Sequence, residues 1–307
     1  MTSSFVNWAL LVVPGVIWGA SFLFIAEGLA AVAPNGVTFT RIAIGFLTLS
    51  LFPSARRPVA RTDWAGTAAL GVLWFAFPLS MFPFAEQHVS SALTGMLNGA
   101  TPLCVAAVAS LLAHKLPERG TLAGLIIGFA GAVVMALPAL GGSSSAFGVT
   151  LIVAALISYG IALNVARPLQ QRNGAIPVVW RALGVALILT APLGLPAVAN
   201  GHWTMRPALA MLGLGAGGTA IATILTATAA GRMGATKASA TAFLIPVVAL
   251  MLGVLIRHEH VTLVSLTGAA ICLVGAAIIR DPNLLGFQGF HLFQGFQRFR
   301  SQIGSKF

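Results

Sequence analysis

The chain has 307 residues, of which 58% are hydrophobic and only 7% charged, and its mean hydropathy is +0.94. A water-soluble domain carries roughly 25% charged residues, so there are too few charges here to coat a globule, and the bilayer is the solvent that fits. The net charge of +11 follows membrane topology rather than forming one basic patch, which speaks against a nucleic-acid partner.

A spanning helix needs about 20 mostly apolar residues to cross a ~30 Å hydrocarbon core. Continuous apolar runs of that length predict spans at 8–30, 35–53, 64–84, 89–112, 121–138, 147–169, 176–198, 207–230, 236–256 and 262–279. A transmembrane β-barrel would show ~10-residue alternating segments instead. The expected fold is therefore all-α, with ten transmembrane helices. The first run extends from Trp8 beyond Gly28 with no basic residue before it. It exceeds the ~7–15 residues of a signal h-region and reads as a span, not a cleaved signal.

Polar groups stand out along these spans. Span 1 carries Trp18 and Ser21 near its middle and Glu27 near its outer end. In span 2, Arg41 lies about three residues from the middle, roughly 5 Å by the helical rise. An arginine at that depth is costly unless paired or hydrated, and Glu27 is the nearest partner the topology offers. Arg41 reads either as a functional group, as half of an architectural ion pair, or as a snorkelling side chain. Span 3 holds Trp74 and Phe77 and ends in Glu86-Gln87-His88. That end is a candidate gate or protonation site, or an ordinary solvated loop.

Span 4 contributes Asn98, Pro102 and Cys104; span 6 contributes Tyr159 and Asn164. Span 8 combines Thr223 with the loosening run Gly213-Leu214-Gly215-Ala216-Gly217-Gly218, and span 9 has Thr241 and Pro246. A buried amide or hydroxyl needs a partner or water, so these positions are substrate contacts or helix–helix glue. A proline inside a span frees a carbonyl, so Pro78, Pro83, Pro102 and Pro246 interrupt helices. Pro102 and Pro246 mark candidate hinges or gates. Cys104 and Cys272 both fall inside spans and read as small buried hydrophobes, not as a disulfide or metal pair.

With both termini inside, the inner side collects Arg56, Arg57, Arg61, Lys115, Arg119, Arg167, Arg172, Arg232, Lys237, Arg280, Arg298, Arg300 and Lys306. The outer side has Arg206 and Arg257, while Arg41 and Arg181 sit within spans. The positive-inside rule therefore predicts cytoplasmic termini in an inner or plasma membrane.

The chain also matches itself. One ungapped offset aligns Pro102 with Pro246, Leu111 with Leu255, His114 with His258, Gly124 with Gly268 and Gly131 with Gly275. A nearby offset aligns Trp18-Gly19 with Tyr159-Gly160 and Arg41 with Arg181. The expected organisation is a first five-helix repeat at 1–140, a second at 147–280, and a cytoplasmic tail at 281–307. Gly141-Gly142-Ser143-Ser144-Ser145 is a flexible joint between the repeats. Five is odd, so the second repeat enters the membrane inverted, an architecture recurrent in secondary transporters. The inversion puts His114 and His258 on opposite faces, which rules out a shared metal site. His258-Glu259-His260 alone is a weak ligand set.

These same residues carry a family resemblance. Trp18-Gly19-Ala20-Ser21-Phe22 followed by Pro34 and Arg41 resembles the opening of the EamA family of the drug/metabolite transporter superfamily. Ser91-Ala92-Leu93-Thr94 through Thr101-Pro102-Leu103 resembles that family's fourth helix, Gly124 through Gly131 its fifth, and Pro246 to Gly275 repeats the pattern. The resemblance covers residues 8 to 280. It implies a ten-helix inverted-repeat carrier that exports small metabolites, often amino acids. The cavity would lie between the halves, lined by helices 1, 3, 4, 6, 8 and 9, with helices 5 and 10 peripheral. One departure stands out: where the family often has an acidic residue after helices 4 and 9, this chain has Lys115 and Glu259.

The expectation is a secondary transporter, not an enzyme. Its substrate contacts would be Trp18, Ser21, Trp74, Phe77, Asn98, Tyr159, Asn164, Thr223 and Thr241. Gating or coupling would involve Glu27, Arg41, Glu86, Pro102 and Pro246. A drug or lipid-linked substrate exporter is the alternative within the superfamily, and a structural or sensor protein the alternative of another class. No Asp lies within a span and no Glu near a span centre, which leaves uniport, exchange, or coupling through Glu27 or Glu86. No Walker or Rossmann glycine motif is present, and no cofactor, metal or nucleic acid is expected. The partners are a small-molecule substrate and the lipid bilayer, and a monomer or a homodimer is compatible. In the tail, Phe287, Phe290, Phe293, Phe296 and Phe299 recur with Arg298, Arg300 and Lys306. That composition suits either the anionic inner leaflet or disorder.

Overall fold

The computed structural model describes residues 3–115, 118–140, 143–233, 241–242 and 244–280. Over these residues the chain is helical and contains no strand. The helices are α1 (Ser3–Leu29), α2 (Pro34–Ser50), α3 (Arg61–Ala85), α4 (Ser91–Leu112) and α5 (Arg119–Leu140). They continue as α6 (Ser143–Asn173), α7 (Ala175–Ala199), α8 (residues 205–233), α9 (Leu244–Arg257) and α10 (Leu263–Arg280).

Seven helices, α1 and α3 to α8, are long and apolar enough to cross a membrane. α9 and the Leu263–Ile278 part of α10 are apolar but shorter, and α2 has 17 residues. Of the ten expected spans, seven thus reach crossing length. Residues 234–240, where the expected ninth span begins, lie outside the described residues, as does the tail at 281–307. Large apolar side chains such as Leu47, Leu51, Ile188 and Leu193 are exposed; in water they would be an aggregation liability, in lipid they are solvated.

Two stretches widen to π-helix, Gly71–Ala76 in α3 and Gly213–Ile221 in α8. In α3 the cause is Pro78, which has no N–H to return to the preceding turn. The Leu73 carbonyl is met instead by the Ser158 hydroxyl of α6 at 2.7 Å. In α8, glycines loosen the turn, and the Gly218 carbonyl accepts from Trp18 Nε1 of α1 at 2.8 Å. α4 is broken at Gly99 and Ala100, just before Thr101-Pro102. The break packs on α9: a Cβ on Gly99 would lie 3.0 Å from Pro246 Cγ.

Packing follows a repeating scheme. α1 packs on α9 and α8, α6 packs on α4 and α3, α2 on α8, and α7 on α3. α2 also meets α7, α4 meets α9, and α5 meets α10. Exchanging α1–α5 for α6–α10 maps this set of contacts onto itself. At the α5–α10 crossing the backbones touch through glycines. A Cβ on Gly268 would stand 2.8 Å from the Gly131 carbonyl, and one on Gly275 2.7 Å from that of Gly124. Small residues allow such close approach. α4 and α9 also end alike, in His114 and His258 with positive φ of 49° and 54°. Both cysteines are buried and free.

Candidate substrate site between the helices

The deepest polar feature begins with α2 against the π stretch of α8. Glycine permits the contact: a Cβ on Gly215 would be 2.9 Å from the Arg41 carbonyl. Arg41 is 8% exposed, and its Nε donates to Thr219 Oγ1 at 3.0 Å. The Thr219 hydroxyl in turn donates to the Leu214 carbonyl at 3.3 Å. Among the described residues this is the only hydrogen bond Arg41 makes through its guanidinium, and no carboxylate lies within ion-pair distance of 4.0 Å. Arg41 Nη2 lies 3.9 Å from where a Gly218 Cβ would be, and Ser21 Oγ lies 2.8 Å from the same point. A side chain at Gly218 would crowd Ser21, so glycine is what lets α8 close on α1 beside Arg41.

Tyr159 and Glu86 are close enough to Arg41 to act on its charge, although neither bonds to it among the described residues. The Tyr159 ring stands 5.9 Å from Phe82, which meets Phe22 edge-on at 5.7 Å. Phe82 and Glu86 are four residues apart and share one face of α3. Both carboxylate oxygens of Glu86, one residue past the end of α3, are closed to solvent and accept no hydrogen bond among the described residues. Burial pushes this carboxyl well above the usual carboxylate range; the charge of Glu259 adds to the effect, while Arg257 and Arg41 oppose it.

The expected Arg41–Glu27 pair does not form. Glu27 is bound instead by Arg206 Nε at 2.7 Å and Arg257 Nη1 at 3.0 Å, joining the end of α1 to the start of α8 and the end of α9. The reason is position: Glu27 sits at the helix end with the loop arginines, whereas Arg41 is a turn or more deeper. Arg257 also reaches Glu259 at 3.5 Å. Glu259 accepts from Ser91 N at 3.1 Å, Ser91 Oγ at 2.7 Å and Ala92 N at 2.8 Å, capping α4. Its carboxylate is engaged in that cap, beside the left-handed turn at His258. At the end of the bundle where α3 starts and α6 ends, Asp63 accepts from Arg172 Nη2 at 2.7 Å and Asn173 Nδ2 at 2.6 Å. Arg181 donates to the carbonyls of Ala55 and Pro177 and lies over the Trp180 ring.

The other expected positions divide. Trp18 and Ser21 pack against Gly218, and Thr223 bonds its own helix at Thr219. Asn164 spends its amide on the carbonyls of Val105 and Gly160, tying α6 to α4, and buried Thr241 donates to the Leu11 carbonyl of α1. Asn98 accepts from Thr101 at the break in α4. Trp74 stacks on Phe75, and Phe77 lines a cavity of about 290 Å³ with Asn35, Thr38, Ser80, Leu189 and Thr190. That cavity lies between α2, α3 and α7. A second cavity of about 230 Å³ lies between His88, Met96, Pro138, His260 and Ser265. Neither is lined by Arg41. Residue-by-residue reading missed Thr219, Gly218, Arg206 and the Asp63–Arg172 pair. An acidic residue opening one helix and a basic residue opening its repeat mate was the available signal for the last two.

The sequence pattern of the EamA-like transporter family matches residues 7–137 and again 146–280. Over 282 residues the chain is 25% identical to a probable terminal-alkyne amino-acid exporter of Streptantibioticus cattleyicolor, covering 90% of this chain and 94% of that one. It is 24% identical over 294 residues to a WAT1-related chloroplastic protein of Arabidopsis thaliana, covering 91% of this chain and 70% of that one. It is 20% identical to an uncharacterized transporter of Archaeoglobus fulgidus, with 89% and 98% covered. A solved crystal structure superposes with a TM-score of 0.59 at 18% identity, covering 90% of this chain and 96% of its own, a likeness of fold alone. Matched twice along its length, the chain belongs to the EamA-like transporter family and is a multi-pass membrane transporter of the drug/metabolite type.

Proposed function

We propose that the protein is a secondary carrier that exports amino acids or related small metabolites across the inner or plasma membrane by alternating access. In this reading all ten helices span the bilayer, as two inverted repeats at 1–140 and 147–280, with both termini cytoplasmic. The contact scheme that survives exchange of α1–α5 for α6–α10 supports the repeat, and the charge distribution supports the orientation.

The observation that carries the carrier reading is Arg41, buried on α2 and held across to α8 with most of its donors unspent. A purely structural bundle gains nothing from a charge at that depth, whereas a carrier needs one where substrate binds between its moving halves. Trp18, Ser21 and Tyr159 surround it as substrate contacts. Glu27 belongs to the outer gate, Glu86 lies between gate and site, and the α4 break at Pro102 against Pro246 supplies a hinge. The lateral cavity beside Phe77 favours a second reading, a lipid-linked or apolar drug substrate entering from the bilayer.

A proteoliposome exchange screen with pooled amino acids, nucleosides and cationic drugs tests the proposal. Uptake of one pool above empty liposomes is the expected result. No uptake of any pool overturns it.

A further inference from the structure

α3 and α7 touch closely at Gly71, where a Cβ would stand 2.8 Å from the Ala182 carbonyl. Past that contact the Phe77–Ala85 stretch of α3 packs chiefly on α6 and α2. Pro83, which has no N–H, leaves the Leu79 carbonyl free, and Thr38 Oγ1 of α2 donates to it at 3.2 Å. Between α2, α3 and α7 this leaves the cavity of about 290 Å³ beside Phe77. Val72, Phe77, Leu189 and Leu193 line it and are all exposed, so it opens sideways among side chains that only lipid can solvate.

The polar groups in its wall are spent. Thr38, Ser80 and Thr190 donate to the Pro34, Ala76 and Ala186 carbonyls of their own helices at 3.1, 2.7 and 2.8 Å. A hydroxyl has one hydrogen to give, so none of the three has a donor left for a ligand. Asn35, in the first turn of α2, differs: its side-chain amide makes no hydrogen bond among the described residues. The cavity is thus apolar in its demand along the helices and keeps N–H donors at one end. That pattern fits an amphiphile with its chain between the helices and an acceptor oxygen at the Asn35 end.

We propose that this cavity holds a resident lipid, one acyl chain of a bilayer phospholipid lying between α2, α3 and α7 with a glycerol-ester carbonyl on the Asn35 amide. The bilayer supplies such chains as its own solvent, and an empty gap would cost the lining side chains their packing partners. The lipid belongs to the leaflet at the Asn35 end of α2. It is held and not carried, and it wedges a helix of one repeat from a helix of the other.

The test uses the full chain in vesicles of phosphatidylethanolamine and phosphatidylglycerol. A graded fraction of the phosphatidylethanolamine carries a diazirine midway along one acyl chain, and adducts formed on illumination are located by peptide mass spectrometry. Labelling at Phe77 and Leu193 is expected to saturate at low probe fraction, while labelling at the exposed Leu137 of α5 and Leu209 of α8 rises in proportion to it. Ser80→Phe puts a ring into the cavity and is expected to abolish the saturable part. Asn35→Leu removes the amide and leaves the cavity, so half-saturation should need about fivefold more probe, the loss of one hydrogen bond. Where Ser80→Phe lowers the thermal midpoint, Asn35→Leu alone decides. Proportional labelling at Phe77 in the wild type overturns the inference without any variant. So does saturable labelling that both variants leave unchanged. Movement of the probe from one leaflet to the other, in step with its labelling, makes the lipid a cargo and overturns residence. None of these outcomes bears on the carrier reading, which the uptake screen judges separately.

Discussion

Arg206 holds Glu27 at 2.7 Å where α8 begins and α1 ends. The pair Asp63 and Arg172, also at 2.7 Å, occupies the matching ends of α3 and α6 with the two charges exchanged. The polarity flips between the two ends: α1 carries the carboxylate at one, where Arg257 joins Arg206 on Glu27, and α6 carries the arginine at the other. In the proposed orientation the second end faces the cytoplasm, as the positive-inside rule favours.

Each pair has an arginine more than half exposed, so each is weak enough to suit a clamp that opens in every cycle. Breaking them is expected to bias the carrier in opposite directions. Glu27→Gln raises labelling of an engineered seam cysteine from the face that Glu27 closes, and Asp63→Asn raises it from the opposite face. Increased labelling from one side in both variants contradicts the clamp assignment.

Glu259 caps α4 through three hydrogen bonds from Ser91 and Ala92, and its side chain is 13% exposed. Losing a cap of this kind costs about 1–2 kcal/mol, and stranding the donors adds to it. Glu259→Ala is expected to lower the thermal midpoint in detergent by several degrees, and Glu259→Gln, which keeps one acceptor oxygen, by less. Equal losses in both would assign the effect to the Arg257 contact, not to the cap.

The asymmetry at Lys115 and Glu259 was legible as a departure from the repeat, but its meaning was not. Self-alignment gives the pairing of His114 with His258 and of the α5 and α10 glycines, because backbone constraints at left-handed turns and close crossings leave residue-type signatures. The glycine run Gly213–Gly218 and Pro78 mark the two loosened helices by residue type alone. Partner choice is different. Glu27 was the nearest acid to Arg41 along the chain, yet Thr219, far away in sequence, is its partner. Asn164 and Thr241 read equally as substrate contacts or as helix–helix glue, and each bonds a carbonyl of another helix; an amide or hydroxyl carries no sign in the sequence of whether such a carbonyl lies within reach.

The glycine crossings separate by what stands opposite. A Cβ on Gly275 would collide with the Gly128 backbone, which no rotamer change relieves, so α5 and α10 must part. Gly275→Ala is expected to destabilise by about 1–3 kcal/mol. Gly217 meets only Ile17 Cγ2 at 3.5 Å, and Gly217→Ala should stay within about 1 kcal/mol of the wild type. Thermal unfolding of the two variants side by side decides it; similar midpoints would mean the α5–α10 contact is not tight.

Glu86 sets the pH dependence. Its carboxyl in the fold titrates well above the usual range because burial, then Glu259, disfavour the charge more than Arg257 and Arg41 favour it. Glu259, Arg257 and Arg41 are the charged groups that act on it, and His88 follows two residues on. A raised carboxyl means the fold binds a proton that the unfolded chain gives up near about pH 4.3. The stability it contributes is therefore complete below that value and is lost as pH rises through the folded one. Glu86→Gln removes this slope. For transport the direction is opposite if the carrier takes its substrate with Glu86 ionised. Substrate affinity should climb over the same pH interval, each substrate bound should release one proton, and an inward proton gradient should drive export. In proteoliposomes the wild type is expected to respond to an imposed pH gradient and Glu86→Gln to ignore it. Glu27→Gln, whose carboxylate serves two arginines at the outer clamp, should still respond. Loss of the response in Glu27→Gln with its retention in Glu86→Gln would move the proton from the site to the clamp.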